Sequence, residues 1–433
     1  MRLLYRDRIG ESTFKFCALT ASKASGNVAA SIHLRRDTRI MKYLLLVGDG
    51  MGDYPVAELG DKTPLQAARI PAMRRIAARG VLHNIRTVPD GLPPGSDVCN
   101  MGLLGYNAAD QYTGRAPIEA AGANIALAPD DVAFRCNLVT IRDGRMIDYS
   151  AGHITSEEGD ILIRDLAAAL ENGERKFYPG ISYRHLLVWR NGPADLSSQP
   201  PHDISDREIA PYLPAGERQA EVRALMEQSK SILQDHPVNQ ARKAAGKVTA
   251  TQIWLWGQGR ALSLPGFKEL YGLSGGVITA VDLVRGLGML AGLEVPVVEG
   301  ATGFVDTNYA GKVAAAKEIM SKKDFVYVHV EAPDECGHMG DAKLKTRAIE
   351  DFDRQVVAPL WQFMEELGEP YRLILAMDHR TPIALRGHTS EPVPLVVLDG
   401  PVGPVTEEQP FDESVLDSLP EERSYELIRR SLR

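Results

Sequence analysis

The chain has 433 residues, 44% of them hydrophobic and 24% charged, with 39 glycines and a formal net charge of −8. This length suits two or more domains with sizeable cores, and the acidic balance argues against a nucleic-acid or anionic-membrane surface. No uninterrupted apolar run approaches the roughly 20 residues of a membrane span, and the four cysteines (Cys17, Cys99, Cys136, Cys336) lack CxxC spacing, which points to free thiols in a reducing, cytoplasmic setting.

Residues 1–40 mix Arg, Ser and Gly without an amphipathic period and without the continuous apolar core of a secretory signal. They read as a poorly ordered N-terminal extension, one origin being a start codon placed too early. The acidic residues Asp7, Glu11 and Asp37 weigh against an organelle-targeting peptide. KYLLLVG (42–48) is the first strand, closed by Asp49-Gly50. Thr63–Arg79 has helical spacing, a Thr-Pro entry and Gly80 as its stop. Pro93 to Asp97 forms a turn in which Gly95 is expected to bend the backbone sharply and expose the Ser96 hydroxyl. The alternative is a serine that merely caps a helix.

From 125 to 265 the texture changes. Short alternating segments (DVAFRCNLVTIRDGRMIDYS, YRHLLVWRNG) predict antiparallel strands, with helices at 156–171 and 216–235 and loops at 190–204 and 211–215. After Leu273 the earlier pattern returns. GGVITAVDLVRGLGMLAGLEV gives a strand and a helix, VPVVEG a strand, Lys312–Met320 a helix and FVYVHV a strand; 342–367 is a long amphipathic helix, and Leu373–Met377 a buried strand. The predicted fold is therefore a doubly wound α/β core formed by 41–124 and 266–433, interrupted by a smaller α+β domain at 125–265.

In open α/β sheets the chemistry lies beyond the carboxyl ends of the strands. Those ends carry Asp49, then Asp334 with His338 at i, i+4, then Asp378 with His379, and finally His388. Capping aspartates and loop histidines explain any one of these, and a lone DxxxH is a weak signal. The combination, with Ser96 in a Gly-flanked turn near a helix start, is a strong one. Three aspartates carry −3 and three neutral histidines nothing, so two divalent cations and one ionised serine oxygen bring the sum to zero. Paired cations suit an in-line phosphoryl displacement. Mixed Asp/His donors favour Mn²⁺ or Zn²⁺ over Mg²⁺.

VGDGMGD (47–53), PPGSDVCNMGLLGY (93–106), YTGRAPIEAAG (112–122), HVEAPDECGHMGD (329–341) and DHRTPIALRGHTSEPVP (378–394) resemble the cofactor-independent phosphoglycerate mutases, in the shorter archaeal-type branch of the alkaline phosphatase superfamily. The similarity extends over about 41–400. It implies an alkaline-phosphatase-like core, with Ser96 as the catalytic nucleophile passing through a phosphoserine. Asp49, Ser96, Asp378 and His379 would hold one metal and Asp334, His338 and His388 the other. Mn²⁺ stands first, with Zn²⁺, Co²⁺ or Mg²⁺ as alternatives and no 2,3-bisphosphoglycerate. The implied reaction interconverts 3-phosphoglycerate and 2-phosphoglycerate in glycolysis and gluconeogenesis. A closing inserted domain fits, because water must be kept from the phosphoserine.

A phosphoglycerate needs cations for its phosphate and carboxylate. Arg115, Arg135, His153, Arg184 and His185 are the candidates, each equally readable as a surface charge. Asp97 and Asn100 either meet substrate or cap a helix. His329, inside an apolar strand, reads as a core residue, and His83, His202 and His236 as loop residues. Trp254 and Trp256 read as strand packing. The rival activity is a homoserine kinase of the same branch, for which YPGISYRHLLVW and IWLWGQG speak; no Walker-type loop is present. A metal-dependent phosphatase stands third, since an inserted cap hinders the entry of water. The partner class is a small phosphorylated substrate, with neither nucleic acid nor membrane, and the sequence leaves the oligomeric state open.

Overall fold

Runs of branched and aromatic residues form the strands β1 (Lys42–Gly48), β2 (Val81–Arg86), β3 (Asp131–Arg142), β4 (Arg145–Asp148), β5 (Arg175–Tyr178), β6 (Arg184–Arg190), β7 (Leu196–Ser197), β8 (Ala215–Gly216), β9 (Gln252–Arg260), β10 (Gly275–Ile278), β11 (Phe325–Val330), β12 (Tyr371–Ala376), β13 (Val393–Gly400) and β14 (Glu421–Arg423). They belong to a computed structural model that describes residues 41–433; the extension read at 1–40, with Cys17, lies outside the described residues.

A seven-stranded sheet has the order β10-β11-β1-β12-β13-β2-β14. The chain enters at β1, in the middle, and β10, β11, β1 and β12 run parallel. Only β13 runs against its neighbours. Parallel strands are covered by helices on both faces, so the central ones are apolar throughout rather than alternating. Phe325–Val330 and Leu44–Val47 are buried accordingly.

A second sheet is built from the residues between these strands. In it β3 pairs antiparallel with β4, β6 and β9, and β5 pairs with β6. Its apolar residues form a separate core under the helices Ser156–Leu170 and Gln219–Gln234, through Leu162, Leu166, Val222 and Leu225. The first sheet's core is a different cluster. The helix Arg115–Gly122 touches both sheets' surroundings. Its Gly122 lies against the carbonyl of Asp282 and its Ile118 carbonyl against Gly286, so a side-chain carbon at either glycine would collide with backbone. The helix Asp282–Leu290 thereby fastens it to the first sheet.

Three elements differ from the sequence reading. The helix predicted over Thr63–Arg79 is two helices, Pro64–Ala67 and Pro71–Arg79. Pro71 drives the residue before it out of the helical region, and Ile70 sits at φ −123°, ψ 61°. The strand predicted at VPVVEG is absent. Glu294 makes one bridge to Gly276, after which Pro296 has no N–H to continue the ladder and Val297 is 82% exposed. The long helix over 342–367 contains a π-helical segment, Asp353–Val357, just before Pro359. The wider turn removes the clash of the proline ring with the carbonyl four residues back. It also presents Asp353 to the backbone N–H groups of Ala72 and Met73, at 3.2 and 2.7 Å, which caps a helix whose own N-cap residue, Ile70, offers no side chain.

Candidate active site

The register sets the first donors. Gly48 of β1 pairs with Val330 of β11, and Val47 with Ala376 of β12. Three neighbouring strands thus stop at one edge, where Asp49 follows β1 directly and Asp378-His379 follow β12. Asp334 and His338 lie on the helix Ala332–Met339 that begins just after β11, and His388 comes from the loop between β12 and β13. Ser96 is the first residue of the helix Ser96–Leu103, its side chain free because the N-cap position falls on Gly95.

These side chains meet. Ser96 Oγ lies 3.2 Å from His379 Nε2, which is 3.4 Å from Asp49 Oδ1 and 3.6 Å from Asp378 Oδ2. His338 Nε2 lies 3.2 Å from Asp334 Oδ2 and 3.0 Å from His388 Nε2, and His388 Nε2 is 3.4 Å from Asp334 Oδ1. The His379 and His388 rings stack with centroids 4.0 Å apart, which brings the two groups together. Asn100, left open by the sequence, has a positioning place. Its Nδ2 donates to Ser96 O and to Asp378 Oδ2, both at 2.8 Å, and its Oδ1 accepts from the Tyr327 hydroxyl. Asp97 accepts from Tyr112 Oη at 2.5 Å.

Gly95 gives clearance and does not bend the chain. Its φ of −149° is ordinary extended backbone, but a side-chain carbon there would collide with Asp97 Oδ1. His83, read as a loop residue, lies in β2 paired with Leu395, and His329 also sits differently from its sequence reading. His329 is fully buried, yet its Nε2 lies 3.0 Å from Asp49 Oδ2, so it adjoins the site. An alternating strand pattern cannot reveal this, because β11 is apolar on both faces.

The electrostatics follow from crowding acids in a dry place. Burial, with Asp378, Asp334 and Glu331 nearby, pushes the Asp49 carboxyl well above the usual range. Burial opposes ionisation of Asp334 too, but His388 and His338 outweigh it and hold its pKa well below the usual value. Burial lowers His379 to about 4, so the imidazole is neutral. Divalent cations fit this arrangement. Asp49 Oδ1 is a buried atom without a hydrogen-bond partner. Three carboxylate and imidazole groups, Asp334/His338/His388, Asp49/Asp334/His379 and Asp49/His329/Asp378, each bring their donor atoms within 4.8 Å of one another.

A second cluster faces this one from the antiparallel sheet. Glu119 accepts from Arg115 Nε at 2.9 Å and lies 3.0 Å from Arg135 Nε. The Arg135 guanidinium stands 4.5 Å over the Trp256 ring, and His202 meets that ring edge-on at 5.7 Å and Tyr149 at 6.0 Å. Trp256 is thus a platform for Arg135 as well as strand packing. Crowding by the surrounding protein and the positive charge of Arg115, Arg135, His338 and His388 push His202 below its usual value, although 45% of its side chain stays accessible. His202 therefore lies within electrostatic reach of both clusters, although its sequence context marks only a loop. Arg184 is exposed, close enough to Glu331 and Glu335 to lower their carboxyls against the effect of burial. His185, its neighbour on β6, points the other way, as alternation requires. It is buried, its Nδ1 accepts from Gly180 N at 3.0 Å, and its ring lies against Gly159. His153 is exposed in a turn at φ 47°. The structure brings Arg115 and Arg135 together, and leaves His185 and His153 outside that group.

Sheet order, strand-end donors and the serine at a helix start define a doubly wound α/β chain with a metal-capable cluster at its carboxyl edge. Residues 77–239 match the family described as 2,3-bisphosphoglycerate-independent phosphoglycerate mutase. A protein of that name from Methanosarcina barkeri is 53% identical over 82% of this chain and 90% of its own length. One from Geobacter sulfurreducens, named as a probable member, is 52% identical over 83% and 91%. Among solved structures, a Pyrococcus horikoshii protein superposes with a TM-score of 0.74 at 27% identity, covering 91% of this chain and 97% of its own. The cofactor-independent phosphoglycerate mutase of Thermoplasma acidophilum gives 0.58 at 28%, covering 91% and 99%. The chain belongs to the 2,3-bisphosphoglycerate-independent phosphoglycerate mutase family.

Proposed function

We propose that the chain interconverts 3-phosphoglycerate and 2-phosphoglycerate by passing the phosphoryl group through Ser96, in the cytoplasm. The observation that carries this reading is the place of the Ser96 hydroxyl: at a helix N-terminus and 3.2 Å from a neutral His379 Nε2. The positive end of the helix favours a phosphate on that oxygen. Asp49, Ser96, Asp378 and His379 are assigned to one divalent cation and Asp334, His338 and His388 to the other, with Mn²⁺ first. Such cations, when bound, favour the ionised serine and neutralise charge on the phosphoryl oxygens.

The chain's own groups do the rest. Asn100 holds Asp378 against the nucleophile's helix. Arg115 and Arg135, sharing one carboxylate, retain a net positive charge for the substrate's anionic groups, with Arg184 and His202 at the margin. The five-stranded sheet and its helices act as a cap over residues 125–265. They keep water away while the glycerate turns so that its other hydroxyl meets the phosphoserine. Relatives named as mutases at about half identity favour this activity over the homoserine kinase and phosphatase readings.

The test is turnover of 3-phosphoglycerate by purified protein with Mn²⁺ and without added 2,3-bisphosphoglycerate. Formation of 2-phosphoglycerate is expected. Turnover that requires the bisphosphate, or survives EDTA, overturns the mechanism. ATP-dependent phosphorylation of homoserine without mutase activity overturns the substrate assignment.

A further inference from the structure

Thr381 stands between the two donor groups. It is fully buried and pinned at every polar atom. Its N–H donates to Gly52 O at 3.0 Å, and its carbonyl accepts from Lys345 Nζ at 2.8 Å. Its hydroxyl donates to Asp334 Oδ1 and lies 3.2 Å from His379 Nδ1. Two glycines make room for it. A side-chain carbon at Gly50, which has φ +61°, would come within 2.6 Å of Thr381 Oγ1, and one at Gly337 within 2.5 Å of its carbonyl and 2.8 Å of its methyl. Gly50 follows Asp49, and Gly337 precedes His338 on the helix Ala332–Met339, so a loop and a helix that each carry candidate ligands close on this residue.

A hydroxyl has one proton. An ionised carboxylate only accepts, so the Thr381 proton goes to Asp334. Toward His379 Thr381 then presents a lone pair, and His379 Nδ1 must carry the ring's proton. Nε2 is left with its lone pair directed at Ser96 Oγ and the Asp49 and Asp378 carboxylates. We propose that Thr381 is a positioning residue whose hydroxyl locks His379 in the Nδ1–H tautomer and ties it to Asp334, so that the two groups of cation donors are set together. Hydrogen-bonded partners behind metal ligands fix tautomer and ring orientation, and their loss costs about 10–100-fold in metal affinity. Here a single partner serves a donor in each group. Removing it weakens cation binding at both positions at once, by about that factor.

The inference rests on Asp334 and His379 being cation donors, but its first readout needs neither metal nor turnover. In metal-free, ¹⁵N-histidine-labelled protein, the His379 signal, assigned by its loss in His379→Asn, is expected to show the proton on Nδ1. A proton on Nε2 overturns the proposal whatever any variant does. In Mn²⁺ titrations followed by electron paramagnetic resonance, Thr381→Val is expected to bind both ions about 10–100-fold more weakly. Thr381→Ser, which keeps the hydroxyl, is expected to stay within about 3-fold of the parent, a small fraction of that loss. Equal weakening in Thr381→Ser and Thr381→Val, or loss at one position only, overturns it. Failure of mutase activity with these binding results intact would count against the proposed reaction and leave the role of Thr381 standing.

Discussion

The carboxyl edge of the seven-stranded sheet and the cation cluster on the five-stranded sheet both gather charged side chains, but by different means. At the edge the donors follow directly from strand ends, and backbone carbonyls and buried polar side chains fix them. Lys345, wholly buried, joins Gly52 O, Asp53 and Thr381 O in contacts of 2.8–2.9 Å, and so ties the loop after β1 to the loop after β12. In the cluster Arg115, Arg135, His202 and Trp256 come from distant segments and hold one another through a shared glutamate and aromatic faces. A site built on strand ends is rigid before any ligand arrives. A site built from long side chains on a sheet face is set by pairwise contacts, each replaceable.

This contrast can be broken most sharply at the edge. Ser96→Ala is expected to lower kcat by on the order of 10⁴-fold or more, weakening the cation assigned to Asp49, Asp378 and His379 while leaving the Mn²⁺-induced stabilisation from Asp334, His338 and His388 in place. A coupled enolase assay with intact-mass detection of the phosphorylated protein reads both turnover and intermediate. Chelation comes next: removing metal with EDTA is expected to abolish activity reversibly and lower Tm. At a free Mn²⁺ concentration of 100 Kd the folded state gains about 2.7 kcal/mol per site. Unchanged Tm across a Mn²⁺ titration would mean that the edge does not hold cations.

In the second region the effects are smaller and fall on KM. Arg135→Gln is expected to cost about 1.5–3 kcal/mol of substrate binding, or roughly 10–150-fold in KM, with Mn²⁺ affinity unchanged. A matching loss of Mn²⁺ affinity would show that the two regions are one site energetically. The smallest effect concerns His185, which belongs to neither. Burial lowers it to about 3 from an ordinary value of about 6.5, so between those pH values the unfolded chain takes a proton that the folded chain refuses. Stability therefore falls as pH drops through this window. His185→Asn should flatten that fall by at most about 1.4 kcal/mol per pH unit, measured by urea unfolding at pH 7 and pH 4.5. An identical slope in the variant would remove His185 as a contributor.

The same contrast explains what could be read in advance. Asp49, Asp334, Asp378 and His379 follow apolar runs, so local patterning marks them as edge residues before any coordinates exist. Ser96 needed only a Gly-flanked turn to stand out, although the role of Gly95 turned out to be clearance for Asp97 and not a bend. His329 was hidden because a parallel strand buried on both faces carries no alternation to show which residue turns toward Asp49. His202 was hidden because nothing in a proline-rich loop tells which way it folds, and its neighbours Trp256 and Tyr149 lie over 50 residues away on either side. His185 was raised by adjacency to Arg184, and alternation along the strand is what separates them. Pro71 and Pro359 were in plain view, yet helical spacing on both sides outweighed them in the sequence reading.

Glu119 has a consequence for selectivity. With one carboxylate lodged between two guanidiniums, the cluster carries its own counterion. Chloride or inorganic phosphate drifting in must compete with a tethered rival that never dilutes. On the proposed reading, a metabolite with charge at two separated ends engages both arginines together, and so gains where a single small anion does not.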